Sequence, residues 1–119
     1  MGKFYLLNVY NAARKLYQSL KVNTGKMPRD DRYTHVLPML RSVERIMSCI
    51  AEANGEDVKT EILAPAIERV SDIQITVRNL FELNLLTKKG FSRISDNSEA
   101  LKRQLKGWSK KHNGKGTGN

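Results

Sequence analysis

A chain of 119 residues with 39% hydrophobic side chains is sized for one domain around one core. No stretch reaches the ~20 apolar residues that a bilayer span needs, and a lone cysteine, Cys49, excludes an internal disulfide and points to a reducing, cytoplasmic setting. The chain carries 21 Lys and Arg against 12 Asp and Glu, a net charge of +9, and this excess implies a polyanionic partner, nucleic acid first and an acidic membrane surface second.

The excess is unevenly placed. Residues 1–86 hold 12 basic and 10 acidic side chains, whereas residues 87–119 hold 9 basic side chains against Asp96 and Glu99 alone. The opening MGKFYLLNVYNAARK does not read as a secretory signal, because Asn8, Asn11 and Arg14 interrupt its apolar run and no cleavage-like segment follows.

Four helices follow from periodicity. The first is expected over about 3–22, where Leu6, Val9, Tyr10, Ala13, Leu16, Tyr17 and Leu20 recur at spacings of three and four and so share one stripe. Thr24-Gly25-Lys26-Met27-Pro28 ends it, with Gly25 as a stop and Pro28 as the opening of the next helix.

The second helix is expected over about 29–54, with Tyr33, Val36, Leu37, Leu40, Val43, Met47 and Ile50 as its stripe. Asp30 and Asp31 complement the dipole in its first turn. Pro38 lacks an N–H and clashes with the preceding turn, so a kink near residues 34–37 or a start at Pro38 is expected. Asn54-Gly55 closes the segment.

The third is expected over about 57–87. Val58, Ile62, Ala66, Val70, Ile73, Val77, Leu80 and Phe81 share a face, Pro65 predicts a bend or a late start, and Lys88-Lys89-Gly90 reads as the stop. The fourth is expected over about 97–111, opened by Asp96 with Glu99 three residues on and carrying Leu101, Leu105 and Trp108. Residues 112–119, basic and Gly-rich, are expected to be a disordered tail. No strand alternation is visible. Short connections make neighbouring helices antiparallel, so the expected fold is all-α: an up-down-up-down four-helix bundle over residues 1–111.

The sequence carries no Gly-rich phosphate loop. His35 and His112 are far apart without ligand-spaced partners, so no metal or other cofactor is expected. Glu61, Glu68 and Asp72 lie off the apolar stripe and read as a solvated face rather than as paired acids. Cys49 reads as a structural thiol. The chain is therefore expected not to be an enzyme.

Its basic residues are more informative. On the fourth helix Lys102, Arg103, Lys106 and Lys110 fall within about 100° of arc at ~100° per residue, away from Leu101, Leu105 and Trp108. They form a stripe suited to a phosphate backbone, joined by Lys111 and Lys115 and shared only by Glu99. Arg41 and Arg45, one turn apart, combine with Lys26, Arg29 and Arg32 as a second basic area, where pairing with Asp30, Asp31 and Glu44 competes. Such contacts read backbone charge rather than base sequence. Tyr5, Tyr33 and Trp108 read as core or interface residues rather than as stacking platforms. Ile75 projects about 160° from the third helix's stripe, and Phe4 and Tyr5 fit a single core poorly, so these three mark an oligomer or partner surface.

Three segments resemble a known family. Lys26-Met27-Pro28-Arg29-Asp30-Asp31-Arg32-Tyr33 is similar to an aromatic-Pro-Lys-x-x-Arg-aromatic opening of helix two, with Met27 where an aromatic is usual. Val77-Arg78-Asn79-Leu80 leads into Leu85-Leu86, and Leu105-Lys106-Gly107-Trp108 is similar to a Gly-Gly-Trp or Gly-Ser-Trp close to the C-terminus. Together they resemble the four-helix-bundle family of the accessory variability determinant proteins of diversity-generating retroelements, which also contains proteins encoded by intervening sequences of bacterial 23S ribosomal RNA genes. Pro38 and Pro65 depart from its pattern.

The resemblance implies a homopentameric, barrel-like assembly with a basic surface. It also implies an accessory subunit without polymerase activity that binds the element's reverse transcriptase and RNA or DNA in mutagenic complementary-DNA synthesis. Arg29, Arg32 and Arg78 match basic family positions. The alternative within the family is a self-assembling scaffold of the intervening-sequence type with no reverse transcriptase partner. The high net charge favours the retroelement branch.

Overall fold

The computed structural model describes residue 4 and residues 7–56 and 59–117, without side chains beyond residue 110. Four helices are present, and there is no strand among the described residues. Helix α1 is Asn8–Asn23. Helix α2 is assembled from three consecutive pieces: an α turn Arg29–Asp31, a π turn Arg32–Val36 and an α-helix Leu37–Asn54. Helix α3 is Thr60–Glu82 and helix α4 is Lys88–Thr117. Each helix packs mainly on its two neighbours in the ring α1–α2–α3–α4, and the α1–α2 contact is the sparsest of the four. The molecule is a rod of 51 × 23 × 20 Å, its length set by α4, whose 30 residues span about 45 Å at ~1.5 Å each. No helix among the described residues is long and apolar enough to cross a membrane.

The core is a set of heptad-spaced stripes. In α3 the buried residues are Leu63, Ala66, Val70, Ile73, Val77 and Leu80, and in α2 Val36, Met39, Val43, Ile46, Ile50 and Ala53. Both alternate steps of three and four, the spacing that keeps a seam facing its neighbours in a bundle. Helix α1 adds Val9, Ala13, Leu16 and Leu20, and α4 adds Ile94, Leu101 and Leu105. Each fully buried leucine or isoleucine contributes roughly 1.5–3 kcal/mol by leaving water.

The expected α2 stripe was rotated. Tyr33 lies outside the core, 75% exposed, Leu37, Leu40 and Met47 are half-buried, and Met39 and Ile46 are buried in their place. The observed stripe belongs to the regular helix Leu37–Asn54; ahead of it lies the π turn, in which the Leu37 N–H donates to the Arg32 carbonyl five residues back. It widens the turn just ahead of Pro38, whose ring cannot sit against a regular preceding turn. At ~100° per residue Tyr33 lies about 110° from the centre of the buried stripe, and the wider turn carries it further out. In α3, by contrast, the helix runs through Pro65 and starts five residues before it.

The α3–α4 junction corrects the expected boundaries most. Helix α3 ends at Glu82, not at residue 87, and α4 starts at Lys88, not at 97. Asn84 adopts a left-handed conformation (φ 61°). The Asn84 N–H donates to the Phe81 carbonyl at 3.0 Å and the Leu85 N–H to the Leu80 carbonyl at 2.9 Å. This is a Schellman stop, with asparagine in the place glycine usually holds. Thr87 then caps α4, its Oγ1 accepting from the Gly90 N–H at 3.0 Å. Gly90, expected as a stop, therefore sits inside the first turn of α4. A Cβ there would lie 3.1 Å from Thr87 Oγ1 and 3.3 Å from Asn23 Cβ, so its smallness admits the end of α1. Asp96 and Glu99 are mid-helix, not a cap.

Helix α4 also continues to Thr117, where a disordered tail was expected from residue 112. Extending an existing helix fixes one residue per hydrogen bond and avoids the cost of a new nucleus. Helix α1 begins at Asn8, after an extended Leu7. The expectations placed on Lys3, Tyr5, Leu6, Asp57 and Val58, on residues 118 and 119, and on the side chains of Lys111, His112 and Lys115 lie outside the described residues.

Candidate nucleic-acid interface

Two cationic surfaces emerge, and the elements that bear them treat their cations differently. On α4, Arg103, Lys106 and Lys110 are exposed, and Lys102 is half-buried. Starting α4 at Lys88 adds a residue that the sequence reading missed. Exposed Lys88 lies about five whole turns before Lys106, so it falls on the same side, ~21 Å ahead of Lys102 along the axis. Lys89 and Arg93 are exposed nearby. Lys88 and Lys89 now occupy the first turn of α4, where the helix dipole adds to their positive potential rather than opposing it.

One member of this row is tied into the fold. Lys102 Nζ donates to Gln74 Oε1 at 3.3 Å. Gln74 Nε2 in turn donates to Glu99 Oε2 at 2.8 Å and to Ser98 Oγ at 3.1 Å, and Ser98 Oγ donates to the Ser95 carbonyl at 2.8 Å. This network joins α3 to α4. It also turns Glu99, the carboxylate that shares the α4 arc, toward Gln74.

Arg78 is likewise engaged. Its Nε lies 3.3 Å from Glu82 Oε1, and its guanidinium sits 5.9 Å from the centre of the Phe91 ring. Phe91 stacks on Phe81 at 4.3 Å and 14°. Arg78 thus caps a stack of two rings that bridges α3 and α4. Its side chain remains 66% exposed, so about one face of the guanidinium meets solvent.

The second surface lies where α1 ends and α2 begins. Arg29, Arg32, Arg41 and Arg45 are all exposed. Among the described residues the one ion pair is Arg78–Glu82, so the pairing of these arginines with Asp30, Asp31 and Glu44 that the sequence left open is not formed. An open groove of about 310 Å³ runs between the two helices. Val36, Leu37 and Leu40 line it together with Tyr33 and the cations Lys21, Arg29 and Arg32. It exists because α1 ends at Thr24, whose Oγ1 donates to the Leu20 carbonyl at 2.6 Å, while Met27 folds in as a buried plug. Tyr33 is the aromatic residue that sequence reasoning placed on the α2 stripe; the rotated stripe leaves it exposed.

The residues read as interface separate. Ile75 is 61% exposed on α3, as its angular position requires. Phe4 is half-buried and packs edge-on against Tyr10 at 5.3 Å, so it closes the end of the core near the start of α1. Tyr5 lies outside the described residues. Trp108 is half-buried against the core with Lys59 Nζ 5.6 Å from its ring centre, which fastens the α2–α3 connection to α4.

No described group of three His, Cys, Asp or Glu is placed to hold a metal ion. Glu61, Glu68 and Asp72 are exposed and solvated. Cys49 is half-buried; burial pushes its thiol pKa up, Glu52 adds to the rise, and Arg69 opposes it. A raised pKa keeps the thiol protonated near neutrality, the opposite of a nucleophilic thiolate. Comparison with protein-family models and with curated proteins finds no match for the chain.

Proposed function

We propose that this protein is a non-catalytic, nucleic-acid-binding accessory subunit of a diversity-generating retroelement, working in the cytoplasm. The observation that carries the binding is the cationic cluster on α4, about 12 Å of one helix side from Lys102 to Lys110 in which Arg103, Lys106 and Lys110 stand exposed and unpaired with carboxylates among the described residues. Such a cluster neutralises successive phosphates and releases their counterions. The retroelement assignment is supported by the resemblance at Lys26–Tyr33, Val77–Leu80 and Leu105–Trp108. In this reading the chain assembles as a homopentamer and presents Arg29, Arg32, Arg41, Arg45, Arg78 and the α4 cations to template RNA or complementary DNA. Exposed Ile75 serves the oligomer or the reverse transcriptase contact. The chain positions template and polymerase while the polymerase performs the synthesis.

A salt titration of RNA and DNA binding, run beside co-purification with the reverse transcriptase of the same element, tests this. The expected result is affinity that falls steeply with salt. Converting Lys106 and Lys110 to Gln lowers the log–log slope by about 0.7–0.9 per lost contact. Absence of binding at low salt, or an unchanged slope in the variant, overturns the α4 assignment. A pentamer in native mass spectrometry with no polymerase captured favours the intervening-sequence type of scaffold instead.

A further inference from the structure

We infer that the α1–α2 groove is a single-strand site in which Tyr33 stacks one unpaired nucleobase while Lys21, Arg29 and Arg32 hold its flanking phosphates. The inference rests on the nucleic-acid-binding reading above and names the form of nucleic acid that this second surface takes.

Four observations carry it. Tyr33 is 75% exposed, a large aromatic set off the buried stripe of an otherwise amphipathic helix. It lines the groove together with the apolar side chains of Val36, Leu37 and Leu40. The lining includes three cations and no carboxylate. Asp30 and Asp31, the nearest acids in sequence, are not among its lining residues and pair with none of these cations.

Apolar surface, an aromatic face and flanking cations are the elements of single-strand recognition, because every base has a π-face and every linkage a charge. A duplex cannot use them without unstacking a base. About 310 Å³ is at the small end of ligand pockets, which run from ~300 to 1,000 Å³, and gives room for one base.

The test measures binding of a short fluorescein-labelled oligothymidylate and of a duplex of equal length to the full chain, for the native protein and for Tyr33→Ala, Tyr33→Leu and Tyr33→Phe. Tyr33→Ala and Tyr33→Leu are expected to weaken single-strand binding about tenfold or more, to leave the duplex affinity alone, and to keep the salt slope, because stacking releases no counterions. Tyr33→Phe retains binding. Arg32→Gln lowers the single-strand slope by about 0.7. Far-ultraviolet circular dichroism and melting confirm the fold, which an exposed side chain does not determine. Native binding to the single strand with no loss in Tyr33→Ala and Tyr33→Leu overturns the inference but leaves the α4 reading intact. Failure of the native chain to bind either nucleic acid removes both. Loss of reverse transcriptase capture with unchanged oligonucleotide affinity makes the groove a protein-docking site and also overturns the inference.

Discussion

The α3–α4 and α1–α2 sides of the bundle are built from similar amphipathic helices and end differently. Between α3 and α4, polar and aromatic side chains cross the interface: Gln74 meets Ser98, Glu99 and Lys102, and Phe81 stacks on Phe91 beneath Arg78. Two of the cations read from the sequence as phosphate ligands therefore also hold helices together. Between α1 and α2 the contact is sparser, the groove stays open, and Lys21, Arg29 and Arg32 line it without carboxylate partners. A cation's availability is thus set by what its neighbours across the interface offer, and net charge overstates it.

Breaking the core on each side gives the largest expected difference. Leu101, fully buried in α4, loses about 2–5 kcal/mol when cut to Ala. Leu40, half-buried in the groove lining, loses less than half as much because water already reaches it. Equilibrium urea unfolding measures both; equal losses would mean that the groove is closed in solution.

The turn between α3 and α4 is the next test. Thr87→Ala removes the cap of α4 and costs about 1 kcal/mol, read by the same denaturation. Asn84→Ala costs up to about 1 kcal/mol because alanine lacks the short polar side chain whose local hydrogen bonding lets asparagine hold a left-handed backbone, whereas Asn84→Gly is neutral or stabilising. A penalty in Asn84→Gly would contradict the Schellman stop.

A double-mutant cycle between Gln74→Ala and Lys102→Ala sharpens the interface itself. The two residues share a hydrogen bond at a half-buried site, so a coupling of about 0.5–1 kcal/mol is expected. Arg78→Ala has a smaller effect on stability, under about 1 kcal/mol, because its ion pair is largely exposed and solvent-screened.

The smallest effect is at Cys49. With its pKa raised by burial and Glu52, the folded thiol keeps its proton beyond the pH at which the unfolded thiol ionises. The linked stability is present below the ordinary thiol pKa and is lost as pH rises through the folded value. Alkylation of the native chain should therefore lag behind that of the urea-unfolded chain at mildly alkaline pH, and equal rates would refute the shift.

Spacing alone determined the helical class, the bundle and most of the core. Ala13, Leu16 and Leu20, Val70, Ile73 and Val77, and Leu101 and Leu105 were legible because helical burial repeats every three to four residues and leaves its period in the composition. The excess of charge in the last quarter was legible for the same reason: it needs only counting. Tertiary structure decided where helices stop and which polar groups remain free. Asn84 and Thr87 outcompeted Gly90 and Asp96 because a boundary depends on how the chain must turn to bring α4 onto α3, and both pairs are plausible punctuation when read locally. Tyr33 left the core because α2 buries Met39 and Ile46 rather than Leu40 and Met47, which turns the stripe away from it, and the π turn beside Pro38 carries it further; both flanks of the stripe are apolar, and periodicity does not choose between them. Lys102 and Arg78 found partners on other helices or turns, whereas Arg29 and Arg32 did not. That distinction is a fact of distance between elements, which a sequence does not contain.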